Sequence, residues 1–153
     1  MSTTLPAVDI TEILRHIPHR YPFLLIDRMQ SCEPHKSVHV VKNVTAGEWF
    51  FNAATPRAMP ELLIVEALAQ AAGVLCHYSG LMGEGKSLIF FAGVEKLVFK
   101  RDVRAGDTLD LVCTLRRAMR GVVKLVGAAS VGGDVVATGE LTAVIRPHPS
   151  PQA

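Results

Sequence analysis

Glu61-Leu-Leu-Ile-Val-Glu66-Ala-Leu-Ala-Gln70-Ala-Ala-Gly73-Val-Leu-Cys76-His-Tyr-Ser79 is the stretch from which the rest of the chain can be read. Wound at 3.6 residues per turn, it has apolar side chains on every side of the wheel, and such a helix is buried all round. Something must cover it. After it the chain turns β-rich, over Ser87 to Phe99, Thr108 to Leu115, Val122 to Val131 and Val135 to Ile145. Gly106-Asp107, Arg120-Gly121 and Gly132-Gly133 separate these runs as turns, so the last three strands form an antiparallel meander. One apolar helix wrapped by one curved antiparallel sheet is an α+β arrangement, the hotdog fold.

Working back towards the N-terminus, Asp9-Ile-Thr-Glu12 has capping-box spacing, and Ile10, Ile13 and Leu14 follow at helical period. A short helix should therefore end before Pro18. Pro18 and Pro22 bracket His19-Arg20-Tyr21 in extended or turn geometry; Phe23 to Ile26 then begins a strand, and Val38 to Val44 suggests a second. Trp49 to Pro60 carries two prolines and no sustained period, and is expected to be loop. The expected organisation is one domain over residues 1–146, with a disordered tail over 147–153.

Composition narrows the partners. A net charge of +2 on 153 residues offers no phosphate-neutralising surface, so no nucleic-acid partner is expected. The run from Leu62 to Cys76 is interrupted by Glu66 and Gln70 and is too short to span a bilayer, so no membrane partner is expected either. Cys32, Cys76 and Cys113 are odd in number and lack metal-type spacing, and the chain opens without a signal-type segment; a reduced, cytoplasmic protein without metal or cofactor is expected.

Gly80-Leu-Met-Gly-Glu-Gly-Lys86-Ser87 formally satisfies the phosphate-loop pattern, but a phosphate loop needs a strand entering and a helix leaving. Here the order is reversed, so the segment reads as a glycine-rich turn. Glu66 is the better functional candidate, because a carboxylate within an apolar helix loses hydration that partners must replace. Burial should raise its pKa, as suits a general acid, and Gln70 lies four residues on along the same face. The alternative is a glutamate that reaches solvent or a subunit interface through a seam in the packing.

Pro18-His-Arg-Tyr-Pro-Phe-Leu-Leu-Ile-Asp27, Met59-Pro60, Ile64-Val-Glu-Ala-Leu-Ala-Gln-Ala-Ala-Gly73, Phe91-Ala-Gly-Val94 and Phe99-Lys-Arg101 occur in that order. Together they resemble the 3-hydroxyacyl-[acyl-carrier-protein] dehydratases of bacterial fatty-acid synthesis, over roughly Ile10 to Ile145. In that family a histidine of a Gly-His-Phe-Pro loop takes the C2 proton, and a helix glutamate from the other subunit is the acid. Backbone N–H groups at the helix start assist the thioester carbonyl. The resemblance makes Glu66 the acid and Gln70 its companion, and implies substrate contacts at Met59, Pro60, Glu61, Phe91 and Gly93. Phe50 to Pro56 departs from the pattern: Ala54 stands where the histidine belongs, and no histidine occurs between His39 and His77. Glu61 also replaces the glycine that follows Met-Pro in the family.

His19 could be nominated as a substitute base, but its counterpart in the family coexists with the catalytic histidine, so it is expected to be mainly structural. His77 lies eleven residues beyond Glu66, about three helical turns at about 1.5 Å per residue, too far for a direct proton relay. Lys96, Lys100, Arg101 and Arg104 could meet an acidic acyl carrier protein bearing a phosphopantetheine-linked acyl chain, or could be an ordinary solvated strand end. Three readings follow: a dehydratase subunit whose Glu66 completes a site with a histidine-bearing homologue, the isolated chain being inactive or very weak; a non-catalytic acyl- and carrier-binding homodimer; or a thioesterase using Glu66 as base. The family pairs hotdog sheets edge to edge, so a dimer is implied, with the strand after the long helix at its edge.

Overall fold

The computed structural model describes residues 3–52, 58–83 and 87–147. Asp9 caps a one-turn helix α1 (Ile10–Ile13), its carboxylate accepting from the Glu12 N–H at 3.1 Å. Strands β1 (Arg28–Glu33) and β2 (Ser37–Asn43) precede the long helix α2 (Glu61–Tyr78), and β3 (Ser87–Phe99), β4 (Thr108–Met119), β5 (Val122–Val131) and β6 (Asp134–Pro147) follow it. All five pairings are antiparallel, and the strands lie in the order β1-β2-β4-β5-β6-β3. The helix and the sheet therefore form the α+β arrangement expected from the sequence.

The concave face of the sheet holds α2. Ala67, Leu68, Ala71, Ala72 and Leu75 are buried with Val40, Leu111, Leu125 and Leu141 in one core. A Cβ built on Gly127 would stand 3.2 Å from both terminal methyls of Leu68, so the missing side chain in β5 is what admits the helix so closely. The turn residues act as their types require: Arg120 and Gly121 both take positive φ between the paired ends Met119 and Val122. The helix ends in a Schellman motif, with Gly80 at φ 66°, its N–H bonded to His77 O, and the Leu81 N–H reaching Cys76 O.

Four expectations need correction. Phe23 to Ile26 does not begin a strand; Leu25 gives its N–H to the Gln70 side chain, and regular pairing starts only at Arg28. Nor is α2 buried all round, since Leu62 in its first turn is 72% exposed. At 18 residues α2 does reach the length and hydropathy of a membrane span, but most of it is buried by the sheet. Finally β6 takes in Pro147, and residues 148–153 lie outside the described residues.

Candidate active site

Glu66 projects from the middle of α2 towards the segment that leaves α1. That segment is held in place from both sides. Arg20 donates to the carbonyls of Leu14, Ile17 and His19 at 2.9, 2.9 and 2.7 Å, gathering the backbone around Pro18. Gln70, buried in α2, accepts from the Leu25 N–H at 2.8 Å and donates to Phe23 O at 2.6 Å. The same amide nitrogen donates to Glu66 Oε1 at 2.9 Å, so one side chain ties the helix, the loop and the carboxylate together.

The fixed loop brings His19 Nε2 to 3.2 Å from Glu66 Oε1. Glu66 is consequently not the raised carboxyl expected from its apolar neighbours. The His19 imidazole beside it has the largest influence and, with the hydrogen bond from Gln70, outweighs partial burial; the carboxyl is held below its ordinary range. The physical reason is that the carboxylate is not enclosed by the helix's own apolar neighbours, since its side chain keeps 36% of its exposure and looks into a cavity.

That cavity is about 210 Å³ and mainly apolar. Ala69, Gly73, Ile89 and Phe91 line it along with Glu66, Gln70 and His19, while Met82 and His16 stand further along its wall. Glu66, Gln70 and His19 meet on its wall, so it is a mainly apolar cavity with a few polar groups, the usual form of a small-molecule site. His16 is engaged elsewhere: its Nε2 lies 2.8 Å from Glu12 Oε1, and its ring stacks on His77 at 3.7 Å. Burial lowers the pKa of His77, helped by His16 and opposed by Glu12.

The structure thus gathers Glu66, Gln70 and Phe91 in one cavity. Met59, Pro60, Glu61 and Gly93 do not line it. Met59 is buried and donates its N–H to Val103 O at 2.7 Å; Pro60 and Glu61 form the start of α2; Gly93 is exposed beside an irregularity of β3. Ala54 lies outside the described residues, as do Glu84, Gly85 and Lys86 of the glycine-rich segment. The entering helix and departing strand of that segment are as expected, the reverse of a phosphate loop. Three of the four cations considered for carrier docking are partly neutralised within the chain. Lys96 pairs with Glu140 at 2.8 Å, Arg101 with Asp107 at 3.7 Å and Arg104 with Asp102 at 3.6 Å, while Lys100 is exposed.

Sequence reasoning missed His19 as a member of the site. Its signal was present, a histidine held between two prolines ahead of an apolar run, but nothing local says which helix such a loop will face.

The chain is similar over most of its length to known proteins. The 3-hydroxyacyl-[acyl-carrier-protein] dehydratase FabZ of Dechloromonas aromatica is 47% identical over 144 residues, covering 91% of this chain and 99% of that protein. Among solved structures, the dehydratase heterocomplex ApeI:P from Xenorhabdus doucetiae matches with a TM-score of 0.77 at 23% identity, over 91% of each chain. A hot-dog-like protein from Thermanaerovibrio acidaminovorans matches with a TM-score of 0.61 at 21% identity, over 76% of this chain and 84% of that one. These structural likenesses establish the hotdog fold. The FabA-like domain matches residues 17–140, and with the long, close match to the D. aromatica dehydratase this means that the chain belongs to the FabA-like family.

Proposed function

We propose that this protein is the acid-bearing subunit of a dehydratase acting on 3-hydroxyacyl thioesters of acyl carrier protein in acyl-chain synthesis. The observation that carries the reading is Glu66, oriented by Gln70 and opening onto an apolar slot, in a chain closely similar to an enzyme of that name. Dehydration removes a proton from C2 and delivers one to the hydroxyl leaving C3; the products are water and the 2-enoyl thioester. Glu66 gives the second proton. It does so once an acyl chain has filled the slot and displaced water, because desolvation disfavours the carboxylate. The first proton needs a base, and the family's position for it is Ala54. A histidine from a homologous partner fills that role, in a site assembled across the dimer. The edge position of β3, with Phe90, Val94 and Val98 exposed, supports an edge-to-edge pairing. The relative from X. doucetiae is itself described as a heterocomplex.

A second reading has one observation in its favour. A carboxylate held in its ionised form by His19 suits a base that activates water, the chemistry of a thioesterase. One experiment separates the two. The purified chain, alone and mixed with a histidine-bearing homologue, is supplied with 3-hydroxyacyl carrier protein while enoyl product and free thiol are followed. Alone it should not dehydrate, since a positioned base contributes roughly 10² to 10⁴ in rate. The mixture should dehydrate, and Glu66→Gln in this chain should abolish that activity. Dehydration by the unmixed chain overturns the shared-site reading, and thiol release without enoyl product establishes the thioesterase.

A further inference from the structure

We propose that His19 is a positioning residue for Glu66: it and Gln70 both hold Oε1, and so reserve Oε2 as the oxygen that meets the substrate. The activity part of this inference rests on the dehydratase reading; the geometry does not.

A carboxyl group has two equivalent oxygens, and rotation about its last torsion exchanges them. Here the equivalence is broken. His19 Nε2 at 3.2 Å and Gln70 Nε2 at 2.9 Å both approach Oε1, from the loop and from the helix, and no side chain or backbone group among the described residues bonds Oε2. A hydrogen bond from Gln70 and the close approach of the His19 ring on the same oxygen restrain the plane of the carboxyl as well as its position. The other oxygen keeps its lone pairs, or its proton, for whatever enters the slot.

His19 is built for this task. Its Nδ1 is buried and has no hydrogen-bond partner among the described residues. A hydrogen on Nδ1 would be stranded there, so the neutral ring carries its hydrogen on Nε2, the atom that faces Glu66. The backbone that carries the ring is held, because Pro18 stiffens the chain before it and Arg20 donates to the His19 carbonyl. Among the described residues lining the cavity, only His16, His19 and Glu66 carry ionisable side chains, and His16 is turned to Glu12 and His77. Position and protonation of Glu66 therefore answer chiefly to His19.

The test compares His19→Ala with His19→Gln, whose amide can present an N–H donor near the place of Nε2. Carbon-13 NMR of the Glu66 carboxyl in the full chain is the first readout. Removing the donor should raise the Glu66 midpoint in His19→Ala, and His19→Gln should bring it back towards wild type. A midpoint unmoved in a folded His19→Ala overturns the proposal, as does a His19→Gln midpoint that matches the alanine variant. The second readout is dehydration in the complex with the histidine-bearing partner. His19→Ala should lower kcat on the order of 10- to 100-fold with KM little changed, the pattern of a misplaced catalytic group, and His19→Gln should recover most of it. A loss confined to KM overturns the positioning role. If the wild-type mixture is inactive, the dehydratase reading fails while the carboxyl titration still decides the contact.

Discussion

A buried side-chain amide must satisfy both its ends, and Gln70, 1% exposed, does so with three partners in two segments. Gln70→Ala would strand the buried Leu25 N–H and remove the partner of the Phe23 carbonyl, and a buried unsatisfied group costs about 1–3 kcal/mol. We expect urea unfolding of Gln70→Ala to show a loss of about that size, and the Glu66 titration to move upwards because one donor is gone. An unchanged urea midpoint would mean that water replaces the amide there. The relation between Gln70 and Glu66 was legible in the sequence, because four residues along a helix is a spacing set by geometry alone. The contact with His19 was not, since it depends on the path between Pro18 and Pro22 and on three Arg20 hydrogen bonds to a backbone that has no regular form. Mistaking the direction of the Glu66 shift followed from that omission. Apolar neighbours along a helix argue for desolvation only when nothing from another segment supplies a donor.

Leu68 of α2 sits tightly over Gly127 of β5. Gly127→Ala places a methyl 3.2 Å from two carbons of Leu68 and 3.3 Å from one of Leu141, tighter than most packed side chains, so both leucines must give way slightly. It should destabilise the protein by about 1–3 kcal/mol, the ordinary cost of overpacking. Leu68→Ala alone costs about 2–5 kcal/mol through the cavity it leaves. The two combined should cost less than their sum, because the new methyl enters the space vacated, and a double-mutant cycle by chemical denaturation measures this coupling. Additive effects would show that the helix shifts rather than packs. The strands themselves could be read from their β-branched runs and turns, and β3 and β5 begin and end where the sequence indicates. The β4-β5-β6 meander was legible from its turns; what the pattern could not give is that β2 joins it beside β4 and β3 beside β6, because those pairings link distant segments. The stretch from Phe23 to Ile26 misled for a related reason. Leu25 and Ile26 are fully buried, as their apolarity suggests, yet a glutamine side chain takes the hydrogen bond that a neighbouring strand would have taken.

For the molecule as a whole, enclosure of the core has a chemical signature. Burial pushes the thiol of Cys32 up to about 11 and those of Cys76 and Cys113 up to about 12, all three being free and buried. Since the thiolate is the reactive form, the native protein at pH 8 should release almost no colour with a disulfide reagent, and denaturation should expose three equivalents. Rapid reaction of one thiol in the native state would reveal local opening, with Cys32 in β1 the one nearest the end of the sheet.

The order of the sheet has a consequence for how the protein is made. β2 lies beside β4, with Asn43 opposite Thr108, so the helix and β3 are both synthesised before β2 can meet its second neighbour. As the chain leaves the ribosome, α2 emerges with its apolar surface bare and waits for β4 and β5 to follow. During that interval the newborn chain presents the kind of surface that chaperones bind, and a delay in translation after α2 would lengthen the exposure and favour aggregation over folding.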